Sequence, residues 1–431
     1  MDQNDTLPVL PPLALPVPAA RPAPAPAAPS APVPAAGGRP ACWEPGTPAA
    51  RVPDAVRDAL LAPLVDHHCH GVRRDDLTRA RFELLITEAA TPAPPGTTHF
   101  DTPVGTAIRR WCAPVLDLEP HVPAAVYLAR RAELGAREAN TRLLRAAGVV
   151  AFLVDPGHGG GDLLSAAEMG RLGGAAADEI VRLERVEQDV AREGLTCVGY
   201  LEALEDRLAA RAARAVGLKT VLAHRCGLDF APSRPSRGAV IAAAARRLAG
   251  PGGPLTDPDL LRHLLWTAVD IARERGLPLQ VHTGYGGPPS SLGIGPHRSD
   301  PALMTGFLRA LRPTGVPVIL LRCYPYHRQA AYLASVYPHV YVDVGLAPTS
   351  TASGSAAIIG ELLELVPYHK LMFSSDCRGV AEMCHLGALY FRRGLARALA
   401  ARLREGEWSA ADAARVAHMI GSGNARRVYR L

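Results

Sequence analysis

The sequence predicts an α/β protein built as a (β/α)8 barrel of the TIM type, on three observations. From about residue 51 onward, short β-branched or apolar runs alternate with longer Ala/Leu/Arg segments of helical period, the signature of repeated βα units around a parallel sheet. Eight such runs can be counted, the number that closes this barrel. The roughly 380 residues after position 50 also fall inside the range the fold spans with insertions. An open, doubly wound sheet is the alternative, and it is disfavoured because no G-x-G-x-x-G follows the first run.

In chain order, residues 1–50 hold 14 of the 40 prolines and read as an extended, semi-stiff Pro/Ala tail. The barrel is then expected over residues 51–431. The strand candidates are 64–70, 149–155, 196–202, 217–224, 277–283, 316–324, 340–345 and 371–376. The first two are separated by 78 residues, too many for a plain βα loop. A helical insertion is therefore expected after strand one, on the C-terminal rim, where it can cap a site. Its Arg109, Arg110 and Trp111 either shape that pocket or pack as ordinary helix. Residues 381–401 and 409–431 read as amphipathic cover helices at the C-terminal end.

Composition narrows the function. The acidic opening MDQNDT and the scattered prolines behind it lack the basic start and unbroken apolar core of a signal peptide. No run approaches the length of a membrane span. Eight cysteines stand singly, without a C-x-x-C pair, which suits free thiols in a reducing, cytoplasmic setting and excludes thiolate zinc of the structural type. The net charge of +6 would raise nucleic acid as a partner, but the arginines are spread over predicted helices and aromatics are only 5% of residues. A small-molecule substrate is expected, with neither nucleic acid nor membrane as partner; a homodimer is compatible with the size. Only two lysines, Lys219 and Lys370, stand against 45 arginines. A lysine retained under such a bias invites a role for its compact, deprotonatable amine.

The strand ends carry the chemistry. LVDHHCHG at 64–71 is an apolar run ending in histidines. Strict alternation puts Asp66, His68 and His70 on one face and His67 and Cys69 on the other. His67 is then expected to pack behind the barrel wall. His282 ends the fifth run in QVHTGYGG, and Asp376 ends the eighth in FSSDCRG. Three imidazoles and a carboxylate from three strand ends converge on one rim, and these are donors that Zn²⁺ or Fe²⁺ accept. One divalent ion is expected on His68, His70, His282 and Asp376, zinc first, with iron or manganese as alternatives.

D-x-H-x-H on strand one, a histidine after strand five and an aspartate after strand eight resemble the metal-dependent amidohydrolase superfamily. GLKTVLAHRCGLD, VILLRCYPYHRQAAYLASVYPHVYVDVG, KLMFSSD and the closing GNARRVYRL look like its amidohydrolase-related branch. That branch includes aminocarboxymuconate-semialdehyde decarboxylase and the amidohydrolase domain that some fungi and plants fuse to a glutamine-synthetase-like domain. The resemblance covers about residues 55–431 and is weak over the insertion. It departs from the family at Arg322, where a histidine is usual after strand six; arginine is neither a base nor a metal ligand at working pH. Some relatives carry a carboxylated lysine on strand four, where Lys219 stands here.

The resemblance implies a metal-dependent hydrolase acting on a C–N, amide-like bond of a small, carboxylate-bearing molecule through a metal-activated water. Asp376 would act as general base and Arg322 would stabilise oxyanion charge or orient a carboxylate. Lys219, Arg225 and Tyr324 are candidates for substrate binding. Non-oxidative decarboxylation with the same ligands is the nearest rival. A barrel that binds a ligand and has lost turnover through Arg322 is the rival from another class.

Overall fold

The structure, a computed structural model, describes residues 51–157, 160–285 and 295–431; the expected Pro/Ala tail lies outside them. Seven strands form one all-parallel sheet in chain order. They are β1 (Leu64–Cys69), β2 (Val149–Val154), β3 (Ala176–Arg182), β4 (Gly217–Thr220), β5 (Leu279–His282), β6 (Val318–Leu321) and β7 (Val340–Val342).

The segment from Leu371 to Gly379 lies between the two edges. Leu371 bridges Val342 in parallel, and the Met372 N–H donates to the Val342 carbonyl at 3.1 Å. On its other side, the N–H groups of His67 and His70 donate to the carbonyls of Phe373 and Cys377, and the Asp376 N–H donates to the His68 carbonyl. The eighth stave is therefore an irregular segment, hydrogen-bonded to both neighbours, which closes the barrel expected from the sequence.

One expected strand is corrected. Residues 196–202 open the helix Cys197–Ala212. Thr196 caps it by accepting the Gly199 N–H, and Tyr200, Leu204, Leu208 and Ala212 recur every four residues on its buried face, a helical period. The third strand is AADEIVR at Ala176–Arg182, partly exposed along its first half. Asp178 and Glu179 interrupt its apolar pattern, so it does not read as a barrel strand.

The interior is set by residues from neighbouring and more distant strands alike. Val65, Ala151, Leu153, Ile180, Ile319, Leu321 and Met372 form one buried cluster with Ala425, Val428 and Tyr429 of the last helix, Asn424–Tyr429. That helix plugs the N-terminal mouth of the barrel. Asn424 fixes it there, its side-chain amide donating to the carbonyls of Tyr368 and Leu371.

The long connection after β1 is the expected helical insertion, with helices Arg79–Leu85, Pro103–Ala107 and Ala124–Ala146, the last interrupted at Gly135. It is fastened to the cover helix Ala381–Arg404 through Glu382, which accepts hydrogen bonds from Tyr127 (2.9 Å) and Arg131 (2.8 Å). Trp111 is buried between Arg110 and Arg393, whose guanidinium carbons lie 4.2 and 4.7 Å from its ring centre. Its role there is packing against the cover helix.

Candidate metal centre

β1 does not keep strict alternation. Its register against β2 shifts between Asp66 and Cys69, and this irregularity lets consecutive histidines serve the same interior. His67 Nδ1 lies 3.1 Å from the hydroxyl of Tyr429, a member of the interior cluster, and its Nε2 lies 3.0 Å from Asp343. His67 therefore sits inside the barrel, and the expectation that it packs behind the wall is corrected. Asp66 does not share the His68 site. It accepts hydrogen bonds from the N–H and hydroxyl of Ser375.

Above that layer, His68 and His70 stand edge to face, ring centres 5.0 Å apart. One donor atom from each of His68, His70 and Asp155 lies within 4.8 Å of the others, and all three residues are buried. The His70 Nδ1 lies 3.0 Å from the Asp155 carbonyl, which assigns the proton to Nδ1 and leaves the Nε2 lone pair available. Asp376 Oδ1 lies 3.4 Å from His68 Nε2 and 3.6 Å from His70 Nε2. Two ligands each about 2.1 Å from a tetrahedral ion stand about 3.4 Å apart, so this spacing suits a shared cation.

His282 lies outside the set of His68, His70 and Asp155. Its Nε2 is buried without a hydrogen-bond partner, an orphaned donor atom of the kind a metal would satisfy. The ring centre of His224 is 4.1 Å from that of His282.

Charge is arranged around these donors in two chains of ion pairs. Asp155 Oδ2 accepts from Arg182 (2.5 and 3.0 Å) and Lys219 (2.9 Å). Lys219 Nζ is also 2.8 Å from His68 Nε2, and the residue is fully buried. On the opposite side, Arg322 Nε lies 2.8 Å from Asp376 Oδ2. Its Nη2 reaches Glu88 Oε1 at 3.2 Å, and Arg378 reaches the same oxygen at 3.2 Å. Glu88 belongs to the insertion, so these pairs tie the insertion to the rim.

Ionisation follows from this packing. Burial would push the carboxyls of Asp155 and Asp376 up, but Arg182 and Lys219 for the first, and Arg322 with the two histidines for the second, hold both well below the usual carboxylate range. Burial, reinforced by nearby cations, lowers His68, His70 and His282 below the ordinary histidine range. His224 is pushed down to about 3, first by burial and then by Arg322 and Lys219. Neutral imidazoles beside ionised carboxylates are the forms that bind a metal, so the residues present fit a divalent ion.

Backbone geometry sustains the Arg322–Asp376 pair. Both residues have positive φ, 66° and 48°, a costly state for non-glycine residues that functional sites accumulate. Gly345, at φ 40°, lies against them; a Cβ there would come within 3.2 Å of Arg322 Cγ and 3.3 Å of Asp376 Cβ.

Of the residues expected from sequence, His68, His70, Asp376, Arg322 and Lys219 are brought together. Arg225 is half-buried, its Nε without a hydrogen-bond partner. Tyr324 packs on His327, 5.6 Å between ring centres, and on Tyr285 at 6.3 Å. Asp155, Arg182, His224, Glu88 and Arg378 are the participants sequence reasoning did not single out. Asp155 and His224 could have been found, because each ends an expected strand run.

Similarity to known proteins gives the family of the chain. An amidohydrolase family model matches residues 194–431, more than half of the chain. Protein fluG of Emericella nidulans is 30% identical over 226 residues, which cover 50% of this chain and 26% of that protein; the chain thus spans about a quarter of this relative's length. A Lactobacillus casei ATCC 334 protein assigned to the metal-dependent hydrolases superimposes with a TM-score of 0.76 at 26% identity, covering 88% of this chain and 98% of its own. The uronate isomerase of Thermotoga maritima shares the fold at a TM-score of 0.60 and 14% identity, over 87% of this chain and 97% of that one. The chain belongs to the amidohydrolase family, within the metal-dependent amidohydrolase superfamily.

Proposed function

We propose that this enzyme hydrolyses a C–N, amide-like bond in a small molecule bearing a carboxylate, with one divalent ion as cofactor. The observation that carries this reading is the approach of Asp376 Oδ1 to the Nε2 atoms of both His68 and His70, at 3.4 and 3.6 Å. His68, His70 and Asp376, with His282 or Asp155 completing the set, would hold the ion; zinc suits these donors, as do iron and manganese. When bound, such an ion supplies Lewis-acid chemistry, polarising a carbonyl and making water acidic enough to react near neutral pH.

The chain's own groups do the rest. Asp376 keeps Oδ2 on Arg322 and presents Oδ1 to the reacting side, where it accepts a proton from the attacking water and returns it to the leaving nitrogen. Arg322 fixes that carboxylate and offers its remaining N–H groups to developing oxyanion charge. Arg322 and Arg378 already converge on one carboxylate oxygen of Glu88, which supports a substrate carboxylate as their ligand. Charge points the same way. Arg182, Lys219, Arg322 and Arg378 face Asp155, Asp376, Glu88 and Asp343, so a dication leaves the site positive and favours an anionic substrate.

The test is a panel of small carboxylated amides and aromatic acids offered to metal-loaded protein, with amine and carbon dioxide measured together. Amine release without carbon dioxide is expected. Carbon dioxide without amine would replace hydrolysis by decarboxylation.

A further inference from the structure

The Nε2 of His68 has one lone pair, and Lys219 is placed to use it. The Lys219 ammonium lies 2.8 Å from that nitrogen and 2.9 Å from Asp155 Oδ2, two of the three residues whose donor atoms cluster for a cation. A ring nitrogen cannot accept an N–H and bind a metal through the same lone pair. Asp155 differs, because its carboxylate has further lone pairs and stays anchored by Arg182 at 2.5 Å.

We propose that Lys219 is a tethered competitor for the metal, its ammonium holding His68 and Asp155 in position until an ion enters and displaces it from His68. The proposal rests on the metal site described above. It accounts for one of the two lysines, both buried, in a chain whose other 45 basic residues are arginine. The flexible four-carbon stem and rotatable ammonium can swing aside and keep Asp155 as partner, which a rigid guanidinium fork could not do as readily. Lys219 is thus a positioning residue that sets metal affinity.

The experiment is calorimetric titration of metal-stripped protein with Zn²⁺ and with Mn²⁺, comparing the wild type with Lys219→Met and Lys219→Gln, each verified by a cooperative melt. Both variants are expected to bind about one ion more tightly than the wild type, by roughly tenfold or more, because the ion no longer has to displace a charge-assisted hydrogen bond from His68. Equal affinity would overturn the proposal and leave the metal site standing. Weaker binding would overturn it too, by making Lys219 a contributor to metal binding. No binding by any form, wild type included, would remove the metal reading itself. A crystal structure of the metal-loaded wild type gives an independent check that needs no variant. Lys219 Nζ should lie beyond 3.5 Å from His68 Nε2; contact retained beside a bound ion, or a carboxylated lysine on that ion, would contradict the proposal.

Discussion

At the scale of single residues, Asp155 links the metal donors to the charges behind them. It is fully buried and pairs with Arg182 and Lys219. Asp155→Ala would leave the buried Lys219 ammonium and the partly buried Arg182 guanidinium short of a partner, and a loss of about 3–5 kcal/mol in chemical denaturation is expected. Arg322 makes the matching case in catalysis. Because it holds Asp376 Oδ2 at 2.8 Å, Arg322→His should lower kcat/KM on a substrate found by the amide screen by on the order of 100-fold. A rise in activity would instead identify a barrel impaired by its arginine. Asp376, His68 and His70 were legible in the sequence because strand ends on a barrel rim are where polar residues meet. His67 was misplaced because alternation cannot register the shift between Asp66 and Cys69. Arg182 was out of reach because its own strand was not recognised.

Among the elements, the irregular eighth stave and the insertion decide how the site is held. The stave brings Asp376 between β1 and β7 at a positive φ, and the cover helix Ala381–Arg404 packs closely behind it. At Gly387 a Cβ would come within 2.9 Å of Ser375 Cβ, so only glycine allows that approach. Gly345→Ala should destabilise the protein by about 1–2 kcal/mol, since the φ of 40° is unfavourable for alanine. A thermal melt measures this, and an unchanged midpoint would show that the Arg322–Asp376 pair does not need glycine beneath it. Glu88 joins the insertion to Arg322 and Arg378 across partly exposed ion pairs. Glu88→Gln is therefore expected to cost under about 1 kcal/mol and to speed proteolysis within the insertion. Helical period and run length made most of the barrel readable. They failed where short signals conflict, as when VGYLE resembled a strand although it belongs to a helix that continues to Ala212.

For the molecule as a whole, burial of neutral histidines makes stability depend on pH. His385 on the cover helix is buried, and burial holds it down at about 4 against an ordinary 6.5; His224 is held at about 3. A depressed pKa means that the unfolded chain binds the proton first. The contribution is complete above pH 6.5 and is lost as pH falls from there through the folded value. His385 alone accounts for up to about 3 kcal/mol by pH 4. Denaturation midpoints should fall steadily below pH 6.5, and His385→Gln should flatten part of that slope. The count of strand-sized runs reached eight only because the helix start at 196–202 stood in for the unrecognised strand Ala176–Arg182. The plug formed by Asn424–Tyr429 was not predictable, because a six-residue helix carries no sequence sign of which end of a barrel it enters. The central claim is that His68, His70 and their neighbours hold one metal ion. Elemental analysis of the purified protein tests it most directly. The wild type should carry close to one zinc, iron or manganese per chain, and the double variant His68→Ala, His70→Ala should carry none. A wild type that neither contains nor takes up any of these metals, or a double variant that keeps its ion, would contradict the account.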